Sequence, residues 1–219
     1  MSTAMESTGF VMCIISWLVT GVSLANDQWK ISSVSGTIIT AQRLTENLWH
    51  SCAENSAGMS ECRDFVSLLA LPVHVQACRA LMIISLLLGL ISMIVALLGM
   101  KCIKIGSATE QSKAKIAVAG GILSILAGVS CLVACSWYAY SVVQDFYNPL
   151  TGGVKYELGT GLFLGWAGAS LAIVGGGLLC SAMSRARSEV KKGGYYGKAP
   201  QKIYTATAKS EPETAKSFV

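Results

Sequence analysis

The chain has 219 residues, 53% of them hydrophobic and only 13% charged, with 17 Lys and Arg against 12 Asp and Glu. A soluble domain could not hide the long uncharged stretches this composition produces. The formal net charge of +5 reflects where Lys and Arg sit relative to a membrane, and nucleic-acid binding is a poor reading of it.

Four apolar runs free of Lys, Arg, Asp and Glu stand out, at 8–25, 80–100, 116–140 and 158–183. A helix rises about 1.5 Å per residue, so about 20 residues cross a hydrocarbon core of about 30 Å. Backbone polar groups in lipid must be satisfied within the segment, which makes each run a helix. The first run could also be a signal peptide. Against that, it exceeds the usual apolar length, and Glu6 stands where a basic start is expected. Only Ser23–Ala25 approaches a small-residue cleavage site, so the run is read as a retained anchor.

Segment 26–79 follows, and its composition is that of a small sheet. Residues 28–41 are rich in β-branched and aromatic types, broken at Ser35-Gly36, which predicts two strands around a turn. A third strand is expected over 46–53 and a fourth over 60–65, separated by the turn-rich patch Asn55–Gly58. Leu68, Leu69 and Leu71 fit a short helix ending before Pro72. After the second span, segment 101–115 carries Lys101, Lys104, Lys113 and Lys115. Loop 141–157 has Lys155 as its one basic residue, and Gly152-Gly153 followed by Val-Lys-Tyr-Glu-Leu predicts a fifth strand that closes the sheet. Tail 184–219 concentrates eight Lys and Arg among Ser, Thr, Gly and Ala and is expected to be disordered. Lys and Arg mark cytoplasmic loops, so both termini and 101–115 are expected inside, and 26–79 and 141–157 outside. The expected fold is thus membrane α+β: a four-helix transmembrane bundle with a small antiparallel extracellular sheet of about five strands.

Eight cysteines sort by this topology. Cys13, Cys131, Cys135 and Cys180 fall in spans and read as small packing residues. Cys52 and Cys62 lie in the oxidising outer loop, where a disulfide would constrain the unfolded loop by roughly 3 kcal/mol. The competing pair Cys62–Cys78 would tie the sheet to a helix; Cys52–Cys62 is preferred because Cys78, at the start of the second span, should be buried among helices. Cys102 and Cys180 approach the inner leaflet and are candidates for palmitoylation, with an unmodified thiol as the alternative. His50 and His74 read as isolated, with no ligand spacing, so no metal or cofactor is expected. With no intramembrane acid, nucleophile–base pair or metal cluster, no enzymatic activity is expected.

Trp29, Asn47-Leu48-Trp49, Cys52 and Cys62 resemble the W–[G/N]LW–C–C signature of claudins. Gln76-Ala77-Cys78-Arg79-Ala80 and Asp145-Phe146-Tyr147-Asn148-Pro149 are similar to claudin segments at the second span and second loop, and the end Phe218-Val219 is close to the family's Tyr-Val. The likeness covers essentially the whole chain. Asn47 and Lys155–Gly159 tilt it toward the subgroup of claudins ten and fifteen. The resemblance implies a plasma-membrane protein of the tight junction that polymerises side by side, adheres to other claudins across the intercellular gap, and seals that gap or lines it with ion-selective pores.

It also implies residue roles. Trp29, Asn47, Leu48 and Trp49 would anchor the sheet on the helix ends. Leu68 would plug into a neighbour's pocket formed by Phe146, Tyr147 and Leu158; otherwise it lies on its own sheet. Asp64 matches an acidic position of cation-selective relatives, whereas position 55 is Asn and Glu54 stands one step away. Neighbouring strand positions face opposite sides, so Glu54 reaches the pore or points away. Carboxylates in a narrow path would favour cations; a sealing claudin, with these acids as ordinary solvated charges, is the alternative. Ser217-Phe218-Val219 fits a C-terminal ligand for PDZ scaffolds, which add such a tail as an edge strand. A different class remains: claudin-related auxiliary subunits of other channels share four spans and the Leu-Trp–Cys motif.

Overall fold

The computed structural model of the chain describes residues 2–33, 42–55, 57–65, 71–100, 110–148 and 155–196, with side chains described as far as Ser181. Four helices long and apolar enough to cross a membrane, α1 (Ser2–Ala25), α2 (Val73–Gly99), α3 (Glu110–Tyr147) and α4 (Thr160–Tyr196), carry a five-stranded sheet. The strands are β1 (Lys30–Ser33), β2 (Gln42–Glu46), β3 (His50–Asn55), β4 (Ser60–Asp64) and β5 (Lys155–Leu158). Strand order is β4-β3-β2-β1-β5, and each pair is antiparallel. Connectivity places the sheet at the end of the bundle where α1 and α3 finish and α2 and α4 begin.

The bundle is built for lipid. Large apolar side chains face outward: Val11, Ile15 and Leu18 on α1, Leu87, Ile91 and Ile94 on α2, Ile122 and Leu126 on α3, Phe163 on α4 are all exposed. Much of the interior is instead small, with Ala96, Ala127, Cys131, Ala134, Cys135, Ala169 and Ala172 buried beside Met82, Leu162 and Leu179. Lipid supplies no hydrophobic drive between helices, so close backbone approach and interhelical hydrogen bonds hold them. Serine hydroxyls donate to carbonyls of neighbouring helices: Ser16 to Gly168 at 2.8 Å, Ser23 to Gly161 at 2.7 Å, Ser85 to Ala127 at 2.7 Å and Ser92 to Gly120 at 2.8 Å. Glycines let these seams close: a Cβ at Gly168 would lie 2.6 Å from Thr20 Oγ1, and one at Gly161 2.8 Å from the Trp29 ring. The Gly161-x-x-x-Gly165 pair therefore serves packing inside one bundle.

Several boundaries depart from the sequence expectation. The third strand is β3, His50–Asn55, because Glu46 ends β2 and Asn47–Trp49 form a turn instead of continuing a strand from 46. The first strand ends at Ser33 and the second is Gln42–Glu46; residues 34–41, with the expected Ser35-Gly36 turn, lie outside the described residues. Helix α2 starts at Val73 behind its cap Pro72, seven residues before the expected span, since a proline fits a helix start. Helix α3 reaches Tyr147, where Pro149 two residues on bars continuation. Helix α4 runs to Tyr196, so disorder from residue 184 is corrected for 184–196: propagating an existing helix costs no new nucleus.

Candidate functional site

Trp29 sits where the sheet meets the helices. Trp29 is fully buried, its indole N–H donates to the Ser23 carbonyl at 2.8 Å, and its ring meets Tyr138 of α3 edge-on at 5.2 Å. Its own carbonyl accepts from Gly159 N–H at 2.9 Å, tying β1 to the start of α4. Asn47 closes the β2–β3 turn: its side-chain oxygen accepts from the backbone N–H of Trp49 at 2.7 Å and of His50 at 2.8 Å. Asparagine suits this turn because its short amide satisfies backbone donors locally. Leu48 is fully buried. Trp49 is 37% exposed, with the Arg79 guanidinium 5.0 Å from its ring centre.

Arg79 is the residue sequence reasoning misplaced. Placed by sequence at the end of the outer segment 26–79, it lies in α2, is buried, and donates from Nε to the Leu48 carbonyl. Its guanidinium also lies 5.7 Å from the Phe65 ring centre. The available signal was its place one residue after Cys78 in an apolar run, where a charge needs a partner.

A disulfide joins Cys52 and Cys62, which oppose each other directly in the β3–β4 register. Cys78 is fully buried and its thiol faces the Ala134 carbonyl at 3.3 Å, as the sequence argument for the Cys52–Cys62 pair required. Directly opposed residues share a face. The register pairs His50 with Asp64 and Glu54 with Ser60, so His50, Cys52, Glu54, Cys62 and Asp64 occupy one face of the hairpin. Glu54 and Asp64, both exposed, thus lie on the same side. Arg43 of β2 opposes Glu54.

The other face carries a groove of about 330 Å³ lined by Leu44, Glu46, Ala53, Glu61, Arg63 and Tyr156. Here Lys30 pairs with Glu46, and its ammonium lies 4.6 Å over the Tyr156 ring. Burial, and secondarily the Glu46 carboxylate, push the Tyr156 phenol above its ordinary pKa.

His50 is not isolated, correcting the sequence reading. Its Nε2 lies 2.9 Å from Asp27 Oδ1, and its Nδ1 lies 3.9 Å from Asp64 Oδ1. His50, Cys52 and Cys62 also cluster within 4.8 Å, but both sulfurs are spent in the disulfide and offer no thiolate to a metal. Glu6 is a second miss. It falls within the span Ala4–Ala25, is 2% exposed, and its Oε1 has no hydrogen-bond partner among the described residues. The apolar run read from residue 8 excluded it.

Phe146 and Tyr147 meet edge-on at 5.4 Å at the end of α3, with Tyr147 77% exposed and Lys155 lying 4.9 Å over the Phe146 ring. Leu158 is half-buried against the bundle core. Leu68, Cys102 and Ser217-Phe218-Val219 lie outside the described residues. Cys180 packs toward α3, its thiol 3.7 Å from the Val118 carbonyl.

Four membrane-capable helices crowned by a disulfide-stapled five-stranded sheet define a multi-pass membrane protein of the tetraspan class. Residues 3–179 match the family model described as PMP-22/EMP/MP20/Claudin family, and the chain belongs to this family. It is 47% identical over 176 residues to claudin-15 of Mus musculus, covering 80% of this chain and 78% of the relative. It is 48% identical over 183 residues to claudin-7 of Rattus norvegicus, covering 82% and 87%, and 45% identical over 181 residues to claudin-19 of Homo sapiens, covering 82% and 81%. Near-equal identities to claudin-15 and claudin-7 do not single out the subgroup of claudins ten and fifteen.

Proposed function

We propose that this claudin is a strand-forming component of the tight junction that polymerises in one membrane, adheres to claudins of the opposing cell, and forms a cation-preferring paracellular pore. The sheet faces the intercellular gap, and both termini and segment 101–115, rich in Lys and Arg, face the cytoplasm. The observation that carries the pore reading is the shared face of Glu54 and Asp64 on the stapled hairpin, where two carboxylates along one path attract cations. Leu68 docks against Phe146, Tyr147 and Leu158 of a neighbour to extend the strand. Ser217-Phe218-Val219 recruits a PDZ scaffold, and Cys102 and Cys180 take palmitate at the inner leaflet.

A sealing claudin is the second reading, favoured by one observation: Arg43 opposes Glu54, which weakens the acidic path. Dilution potentials across an epithelial monolayer expressing the chain decide between them. Asp64→Asn lowers the Na⁺ over Cl⁻ permeability ratio if Asp64 lines the pore; an unchanged ratio removes it. An auxiliary channel subunit would give diffuse surface label in non-adherent fibroblasts, where a claudin gives strands at cell contacts.

A further inference from the structure

We propose that His50 is a proton-operated selector of ion charge: on taking up a second proton, its imidazole pairs with Asp64 and shifts the pore's preference away from cations. The inference deepens the cation-pore reading and rests on Asp64 lining the path.

The geometry fixes which nitrogen responds. Asp27 is a carboxylate and only accepts hydrogen bonds, so the Nε2 atom 2.9 Å from its Oδ1 carries the hydrogen of the neutral ring. Asn47 does not reverse this. Its side-chain oxygen is taken by the backbone N–H groups of Trp49 and His50, which fixes the amide orientation. Its nitrogen then donates to the same Asp27 oxygen at 3.1 Å, so the 3.4 Å approach of Asn47 Nδ2 to His50 Nε2 joins two donors sharing one acceptor. The neutral ring consequently turns the bare Nδ1 lone pair toward Asp64, 3.9 Å away. A lone pair does not attract a carboxylate, and the Asp64 side chain is 94% exposed to solvent.

A proton taken from the bathing solution adds to Nδ1 and changes both properties at once. The lone pair becomes a donor, and the ring becomes a cation held between Asp27 and Asp64. The separation of 3.9 Å then closes to an ion pair, and one carboxylate of the path is cancelled. Imidazole is the side chain whose charge ordinarily changes between about pH 5 and 8.

The charged and titratable groups around the ring come from each neighbouring element. Asp64 belongs to β4, and Asp27 to the segment joining α1 and β1. Glu54 stands four residues along β3 on the same face, about 13 Å away at strand spacing, with Arg43 of β2 opposite it. Arg79 of α2 is committed to the Leu48 carbonyl and the Trp49 and Phe65 rings.

The test measures dilution potentials across monolayers expressing the wild-type chain, His50→Gln and His50→Lys, with the bath taken from about pH 7.5 to about pH 5.5, the interval in which imidazoles titrate. The wild-type Na⁺ over Cl⁻ ratio falls reversibly on acidification. His50→Gln keeps a donor for Asp27 but takes no second proton, and loses the step. His50→Lys shows the low ratio already at the higher pH. No step in the wild type, or an equal step in His50→Gln, overturns the proposal. A wild type with Na⁺ preference and a step that survives in His50→Gln leaves the pore reading standing and removes the selector. A wild type without Na⁺ preference whose ratio still moves toward Cl⁻, and does so only with His50 present, keeps the selector and removes the cation reading. Should His50→Gln fail to form strands at cell contacts, Asp64→Asn serves instead: it gives a low ratio at both pH values, and a full step in it overturns the proposal.

Discussion

Arg79 Nε donates to the Leu48 carbonyl, so a charged side chain of α2 holds the turn that begins β3. The guanidinium is at once buried, hydrogen-bonded and near two aromatic rings, at 5.0 Å from Trp49 and 5.7 Å from Phe65. Planar, delocalised charge suits that environment in a way an ammonium does not. Replacing Arg79 by Met leaves the Leu48 carbonyl without its partner, a loss of about 1–3 kcal/mol. Thermal unfolding of the purified protein in detergent should show the drop, and Arg79→Lys should recover only part of it because it loses the fork and the stacking plane.

The cysteines should divide into one bonded pair and a buried, unreactive set. Intact mass mapping of the outer loop is expected to return a Cys52–Cys62 peptide, and Cys78 should resist maleimide until the protein is denatured. Replacing both partners by Ser should cost roughly 3 kcal/mol of sheet stability. Detection of a Cys62–Cys78 peptide in the mature protein would contradict the register in which Cys52 faces Cys62.

Gly161 tests the seam between β1 and α4. A Cβ there meets the Trp29 ring at 2.8 Å and the Gln28 carbonyl at 3.1 Å, both held in place by hydrogen bonds. Gly161→Ala should destabilise by about 1–3 kcal/mol through overpacking, whereas Gly177→Ala, with open space at its Cβ position, should be near neutral. Paired thermal melts of the two variants separate a packing effect from a general dislike of side chains on α4.

Removing Val219 should abolish capture by a PDZ domain in a pull-down with the full-length protein and leave strands at cell contacts intact. Loss of strands together with loss of capture would tie the tail to polymerisation instead.

The sequence carried the bundle because lipid imposes a crude rule. A run such as 80–100 must be helical to satisfy its backbone, and the β-branched and aromatic residues of 28–41 were enough to mark the sheet. Strand ends were less legible. Nothing in the composition of 46–53 distinguishes a strand from a turn followed by a strand; the side-chain oxygen of Asn47, bonded to two backbone N–H groups, decides it. Helix ends were underestimated at α2, α3 and α4, since hydropathy reports where lipid begins and not where helical hydrogen bonding stops.

The order of residues alone determined four spans, the presence of a β-rich first loop and the separation of loop cysteines from span cysteines, because each follows from local composition and the membrane's thickness. Only the tertiary structure decided which charges meet. Asp27 and His50 lie 23 positions apart, and Leu48 and Arg79 lie 31 apart. Their partnership arises from the sheet folding back on the helix ends, and no local pattern encodes it. The shared face of His50, Glu54 and Asp64 has the same origin: pairing register, a long-range property, fixes which side of the sheet each charge occupies.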